Sequence, residues 1–144
     1  MDMISIHKKI MDEMIAHAQE EAPYECCGLL AGTEEVSALF RIANLPSDAP
    51  LVADLRVPPD RRLRYIMDPV QQLRAFKQMR AEGIELLAIY HSHPHSPAYP
   101  SATDVRLAVY PDVHYLIVSL EKGPDVRAFR IVGRQITETG IRTI

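Results

Sequence analysis

The sequence predicts an α+β fold, a mixed sheet flanked by helices, and three observations carry that prediction. Two long segments place apolar residues at helical spacing between clear start and stop signals. Short apolar runs bounded by Gly, Pro, Asp or Glu read as strands in between. Late in the chain the strands follow one another directly, unlike the strict strand–helix alternation of a doubly wound parallel sheet.

The elements follow in order. Met3–Ser5 reads as a short strand. Ile6, Ile10, Met14 and Ile15 then recur at helical spacing with charges between them, so a helix is expected from Ile6 to about Glu21, with Ser5 as its N-cap and Pro23 beyond its end. Cys26–Ala31 is a compact apolar run closed by Gly32, the pattern of a buried strand, and Ala38–Leu45 reads as its partner across a turn at Thr33–Glu35. Pro46–Arg62 holds four prolines and three aspartates without periodicity, which predicts a long, mobile surface loop at 46–62. Leu63–Met67 is expected as a strand. Asp68-Pro69 supplies an N-cap and a proline at the first helical position, and Gly83 supplies the stop after Glu82. Ile84–Tyr90 is the strongest buried-strand signal. His91–Pro100 reads as a proline-stiffened loop and Ser101–Tyr110 as a helix. Val113–Leu120, Val126–Val132 and Ile136–Ile144 complete the set as strands.

At 144 residues the chain suits a single domain, 1–144, able to bury one core without disulfide or metal staples. The net charge of −3, with no block of Lys or Arg, argues against nucleic acid as a partner. The longest apolar run, Leu86–Tyr90, is too short to cross a bilayer. No signal-peptide pattern opens the chain, and its two cysteines, Cys26 and Cys27, are adjacent and ill-placed to bridge, so a cytoplasmic location with no membrane partner is expected. With so few thiols, a zinc site would have to rest on histidine and carboxylate.

Such donors cluster in one segment. His91 and His93 stand two apart at the end of a buried strand, so both rings point to one face and can reach one ion. Asp104 falls in the first turn of the next helix, which the proline-rich loop can fold back over the histidines. Two histidines, one carboxylate and an open fourth position describe a catalytic zinc rather than a structural one. Hydrolysis also needs a proton acceptor that is not a ligand, and Glu25, just before the strand Cys26–Ala31, qualifies if that strand lies beside Ile84–Tyr90.

The order Glu25 in Pro-Tyr-Glu-Cys-Cys-Gly-Leu-Leu-Ala-Gly, then His91-Ser92-His93-Pro94, then Ser101-Ala102-Thr103-Asp104 resembles the JAMM, or MPN-plus, metalloprotease family of JAB type. The likeness runs from the first helix through Val113–Leu120 and is weakest over 46–62. It implies a curved sheet flanked by helices, the cytidine-deaminase-like JAB/MPN domain, and a zinc-dependent peptidase or isopeptidase. His91, His93 and Asp104 would ligate zinc, Glu25 would activate water, and Ser101 would help to stabilise the oxyanion. The small stand-alone type of this family implies, as partner, a protein with an extended C-terminal tail, ubiquitin-like or a sulfur carrier, whose tail could add to a sheet edge as a further strand.

Each residue also has a plainer reading. Ser101 and Asp104 suit a helix N-terminus, a role compatible with a site. Glu25 alone would be a solvated loop carboxylate. Ser92 should face away from its neighbours and make a structural hydrogen bond, His95 should face solvent or substrate, and His7, His17 and His114 read as structural. The competing functions are a non-catalytic MPN-type interaction module and a metal-dependent hydrolase of a small molecule.

Overall fold

The computed structural model describes residues 2–144. In chain order it contains β1 (Met3–Ile6), α1 (Lys8–Glu21), β2 (Cys27–Gly32), β3 (Val36–Ile42), α2 (Pro50–Asp54), α3 (Pro69–Glu82), β4 (Glu85–His93), α4 (Ala102–Leu107), β5 (His114–Ser119), β6 (Asp125–Val132) and β7 (Gln135–Thr143). The strands form one mixed sheet in the order β1-β3-β2-β4-β5-β6-β7, and β1 pairs in parallel with β7 to close it into a barrel. The expected mixed α+β class holds, with the curvature carried through to closure.

Alternation along β2 and β4 divides the interior. Leu29, Ala31, Ile89 and Ile117 pack with Ala75 and Met79 of α3, while Leu30, Ala88, Tyr90 and Leu116 pack with Ile10, Met14 and Ala18 of α1. Each helix thus covers one face of the same strands, and each fully buried Leu or Ile contributes roughly 1.5–3 kcal/mol. α3 begins and ends as expected: Asp68 accepts from the amides of Val70 and Gln71, and Gly83 closes it in the left-handed region at φ 69°.

Five local expectations are corrected. Ser5 does not cap α1: it lies in β1 opposite Arg142, and α1 starts after His7 without a side-chain cap. Pro46–Arg62 is not free of regular structure, because α2 forms there with proline in its first turn, and Val52 packs with Val57 and Ile66 in a small core of its own. Leu63–Met67 is not a strand; only Met67 makes an isolated bridge, to Asn44. β4 runs on to His93, so both histidines belong to the strand, whereas α4 stops at Leu107, short of Tyr110.

Gly28 shows how closely β2 and β4 approach. It lies opposite Tyr90, and a Cβ built there would overlap the Tyr90 ring, whose hydroxyl is hydrogen-bonded to His17 Nδ1 at 2.7 Å. Burial, helped by the Arg41 charge, lowers the His17 pKa to about 4, so the ring stays neutral. Gly28→Ala is expected to destabilise the fold by about 1–3 kcal/mol, the typical range for overpacking. Urea denaturation checks this; an unchanged midpoint would show that Tyr90 can yield.

Candidate metal centre

β2 and β4 are antiparallel neighbours with Cys27 opposite His91, which meets the condition placed on Glu25. Period two along β4 then separates the motif. His91 and His93 project to the α3 face with Ile89, whereas Ser92 points to the α1 face and accepts the Cys26 amide at 2.8 Å. That is the structural bond expected of Ser92. The first turn of α4 brings Asp104 over the two rings.

Glu25, His91, His93 and Asp104 are all buried, and one donor atom from each lies within 4.8 Å of the others. His91 Nε2 and His93 Nε2 lie 3.0 and 3.1 Å from the same Asp104 Oδ2 and 3.1 Å from each other. Tetrahedral zinc, with bonds of about 2.0–2.1 Å, sets its ligand atoms roughly 3.3 Å apart, so this triangle is close to the right size. Glu25 Oε1 is buried without a hydrogen-bond partner, a polar atom that only a cation or solvent would satisfy. The donor set fits zinc: nitrogen and oxygen ligands on three sides and a carboxylate beside them.

The surroundings orient these side chains. His93 Nδ1 is 2.8 Å from the Pro97 carbonyl, which can only accept, so Nδ1 carries a proton and Nε2 is the nitrogen left to offer a metal. The His91 ring stacks on Tyr65, with centroids 4.4 Å apart. Ser101 and Asp104 form a capping box: the Ser101 amide donates to Asp104 Oδ2 at 2.9 Å and the Asp104 amide donates to Ser101 Oγ at 3.1 Å. The two plain readings of this pair therefore coexist with the site, since the cap fixes Asp104 and leaves the Ser101 hydroxyl proton free.

Electrostatics follow from enclosure. Burial pushes the Glu25 carboxyl up to about 9, the Asp104 charge adds to this, and Arg64 opposes both. Burial also works against the Asp104 carboxylate, yet the two imidazoles hold it well below the usual range. Burial lowers His91 in spite of Asp104, whereas at the less enclosed His93 the same carboxylate wins and the pKa rises. A dication among these donors would favour the carboxylates and the neutral rings together.

A groove of about 520 Å³ opens beside the donors and is lined by Glu25, His93, His95 and Ser101 together with Asp60, Arg62 and Leu63. His95 is exposed at its rim, away from the triangle. Asp60 and Arg62 make the end of the 46–62 segment part of its wall. β2 and β4, which carry the site, are each paired on both sides, so the expected addition of a tail to a free sheet edge is not available there. Sequence reading missed Tyr65, Asn44 and Arg64. Tyr65 sat in a presumed strand, and a lone arginine carries no signal of burial.

Fold and donor set together define a class, a metal-dependent hydrolase built on a mixed barrel-like sheet. The chain matches the family described as prokaryotic homologs of the JAB domain over residues 7–132, and it belongs to that family. It is 33% identical over 148 residues to the CysO-cysteine peptidase of Mycobacterium tuberculosis, covering 99% of this chain and 92% of that protein. It is 37% identical over 127 residues to the probable TtuB-protein conjugate cleaving protease of Thermus thermophilus, covering 88% and 75%. The solution structure of a Desulfitobacterium hafniense protein superposes with a TM-score of 0.80 at 37% identity, covering 98% of this chain and 92% of that one.

Proposed function

We propose that the chain is a zinc-dependent peptidase or isopeptidase that cuts at the C-terminal tail of a small ubiquitin-like or sulfur-carrier protein. The observation that carries this reading is the buried convergence of Glu25, His91, His93 and Asp104. His91, His93 and Asp104 would hold the metal. Zinc, when bound, lowers the pKa of water to about 7 and polarises a carbonyl. Glu25 Oε1 accepts a proton from the attacking water and passes it to the departing amine as the C–N bond breaks. Ser101, on the groove with its hydroxyl proton free, donates to the developing oxyanion.

The relatives support the substrate class, since one is named for a peptidase of a CysO–cysteine adduct and the other for cleavage of TtuB conjugates. The groove suits an extended tail, which would be held between the 46–62 wall and the Ser96–Ser101 side rather than as a strand of the barrel. In this reading residues 1–144 act as one domain, and 46–62 flexes between anchored ends to admit the tail. The two buried, unpaired cysteines suit a reducing compartment, and we place the protein in the cytoplasm. Among the described residues no helix is long and apolar enough to cross a membrane.

The test is cleavage of a sulfur-carrier protein extended by one residue beyond its terminal Gly-Gly, followed by mass spectrometry. The expected product ends in Gly-Gly, is lost on chelation and returns with zinc. An intact substrate after incubation with zinc-loaded protein would refute the proposal.

A further inference from the structure

Arg64 is the largest side chain in the molecule that is wholly buried, at 1% exposure. A guanidinium in that position normally sits against a carboxylate. Here each of its hydrogen-bond acceptors is neutral: Pro58 O at 2.9 Å, Pro59 O at 2.8 Å, Leu45 O at 2.8 Å and Asn44 Oδ1 at 2.6 Å. Four donors of the fork point at groups that anchor the two ends of the 46–62 segment, an arrangement that a lysine, with three donors, could not reproduce.

Asn44 relays this anchor to the site. Its Oδ1 accepts from Arg64 and from the Ile66 amide, and its Nδ2 donates to Arg64 O and to Glu25 O, both at 2.9 Å. The Glu25–Cys26 peptide is therefore gripped at both ends, its oxygen by Asn44 and its nitrogen by Ser92 Oγ at 2.8 Å. The Glu25 amide donates to Arg61 O at 2.9 Å, and the Arg61 guanidinium lies over the Tyr24 ring at 4.4 Å. Glu25 precedes β2 and has no ladder of its own, so these bonds fix its backbone.

We propose that Arg64 and Asn44 are positioning residues that hold the candidate base Glu25 and the groove wall Pro58–Arg62 in one unit, so that engagement of a substrate at the wall and alignment of the base are coupled. Neither residue touches the reacting atoms. The proposal rests on the hydrolase reading above for its kinetic consequence, but not for its structural one.

Asn44→Asp separates the two functions of the node. The carboxylate still accepts from Arg64 and Ile66, so the wall stays clamped, but it cannot donate to Glu25 O and sets like partial charges against it. With zinc content and melting temperature near wild type, kcat should fall about ten- to a hundredfold, the effect of a misplacement on the ångström scale, while KM stays within about twofold. Arg64→Lys loosens the wall as well, so kcat should fall and KM rise together, as at a hinge. Hydrogen exchange supplies a readout independent of turnover. In Asn44→Asp the Glu25 and Cys26 amides should exchange about tenfold faster while the Ile66 amide stays protected. Wild-type kcat and KM in both zinc-loaded variants, with unchanged exchange at Glu25 and Cys26, would overturn the proposal. A wild-type protein that cleaves no tail would sink the hydrolase reading, and the exchange comparison would still decide the node.

Discussion

In His91→Ala and Asp104→Ala, bound zinc should fall from about one per chain to a small fraction after dialysis, because two protein ligands are too few for a stable site. Elemental analysis measures this directly. The two variants should differ in stability. His91→Ala leaves the capping box whole, but Asp104→Ala also removes the carboxylate that accepts the Ser101 amide at 2.9 Å, so α4 loses about 1 kcal/mol of capping. Asp104→Asn separates the effects, since the amide oxygen can keep the cap while the charge that draws the metal is gone. Zinc bound to the folded chain alone must stabilise it, so a chelator should lower the melting temperature of wild type and leave that of His91→Ala unmoved. Equal zinc in wild type and His91→Ala would remove His91 from the ligand set, and the 3.0–3.1 Å triangle would then be a hydrogen-bonded cluster without a metal.

The convergence of these three candidate ligands was legible because its signals are local. An uninterrupted apolar run delivers β4, period two puts His91 and His93 on one face, and a Ser-x-x-Asp start places Asp104 in a first turn. α3 was legible for the same reason, with Asp68-Pro69 at one end and Gly83 at the other. What escaped is what the distant parts of the chain decide. Ser5 makes a good cap in isolation, but pairing of β1 with β7, from the opposite end of the sequence, claims it for a strand. α2 is too short to persist on propensity and exists because Val52 packs on Val57 and Ile66. Leu63–Met67 has the composition of a strand, yet the Ile66 amide is taken by the Asn44 side chain instead of a ladder. Nothing local marks Arg64 as buried, and only the convergence of Pro58, Pro59, Leu45 and Asn44 on one point makes its burial possible. Barrel closure follows from the same long-range pairing.

Glu25→Gln should retain zinc and lose turnover by about two to four orders of magnitude, the contribution of a general base. The amide matches the carboxyl in shape, and the bonds that place the residue act on its backbone: Arg61 O on the amide nitrogen, Asn44 Nδ2 on the carbonyl oxygen. The side chain should therefore occupy the same position beside His91 and His93 without being able to take a proton. Stability separates this variant from a damaged one. In the metal-free protein burial disfavours charge at Glu25, whose pKa is pushed up to about 9, and Oε1 has no partner, so with zinc removed a neutral amide should leave the melting temperature equal or raised. A protein that binds zinc like wild type, melts no earlier and fails to cut the tail would locate the defect in proton transfer. Turnover near wild type in Glu25→Gln would assign the proton to another group. His95, exposed on the rim of the same groove, would be the first to replace by alanine in that background.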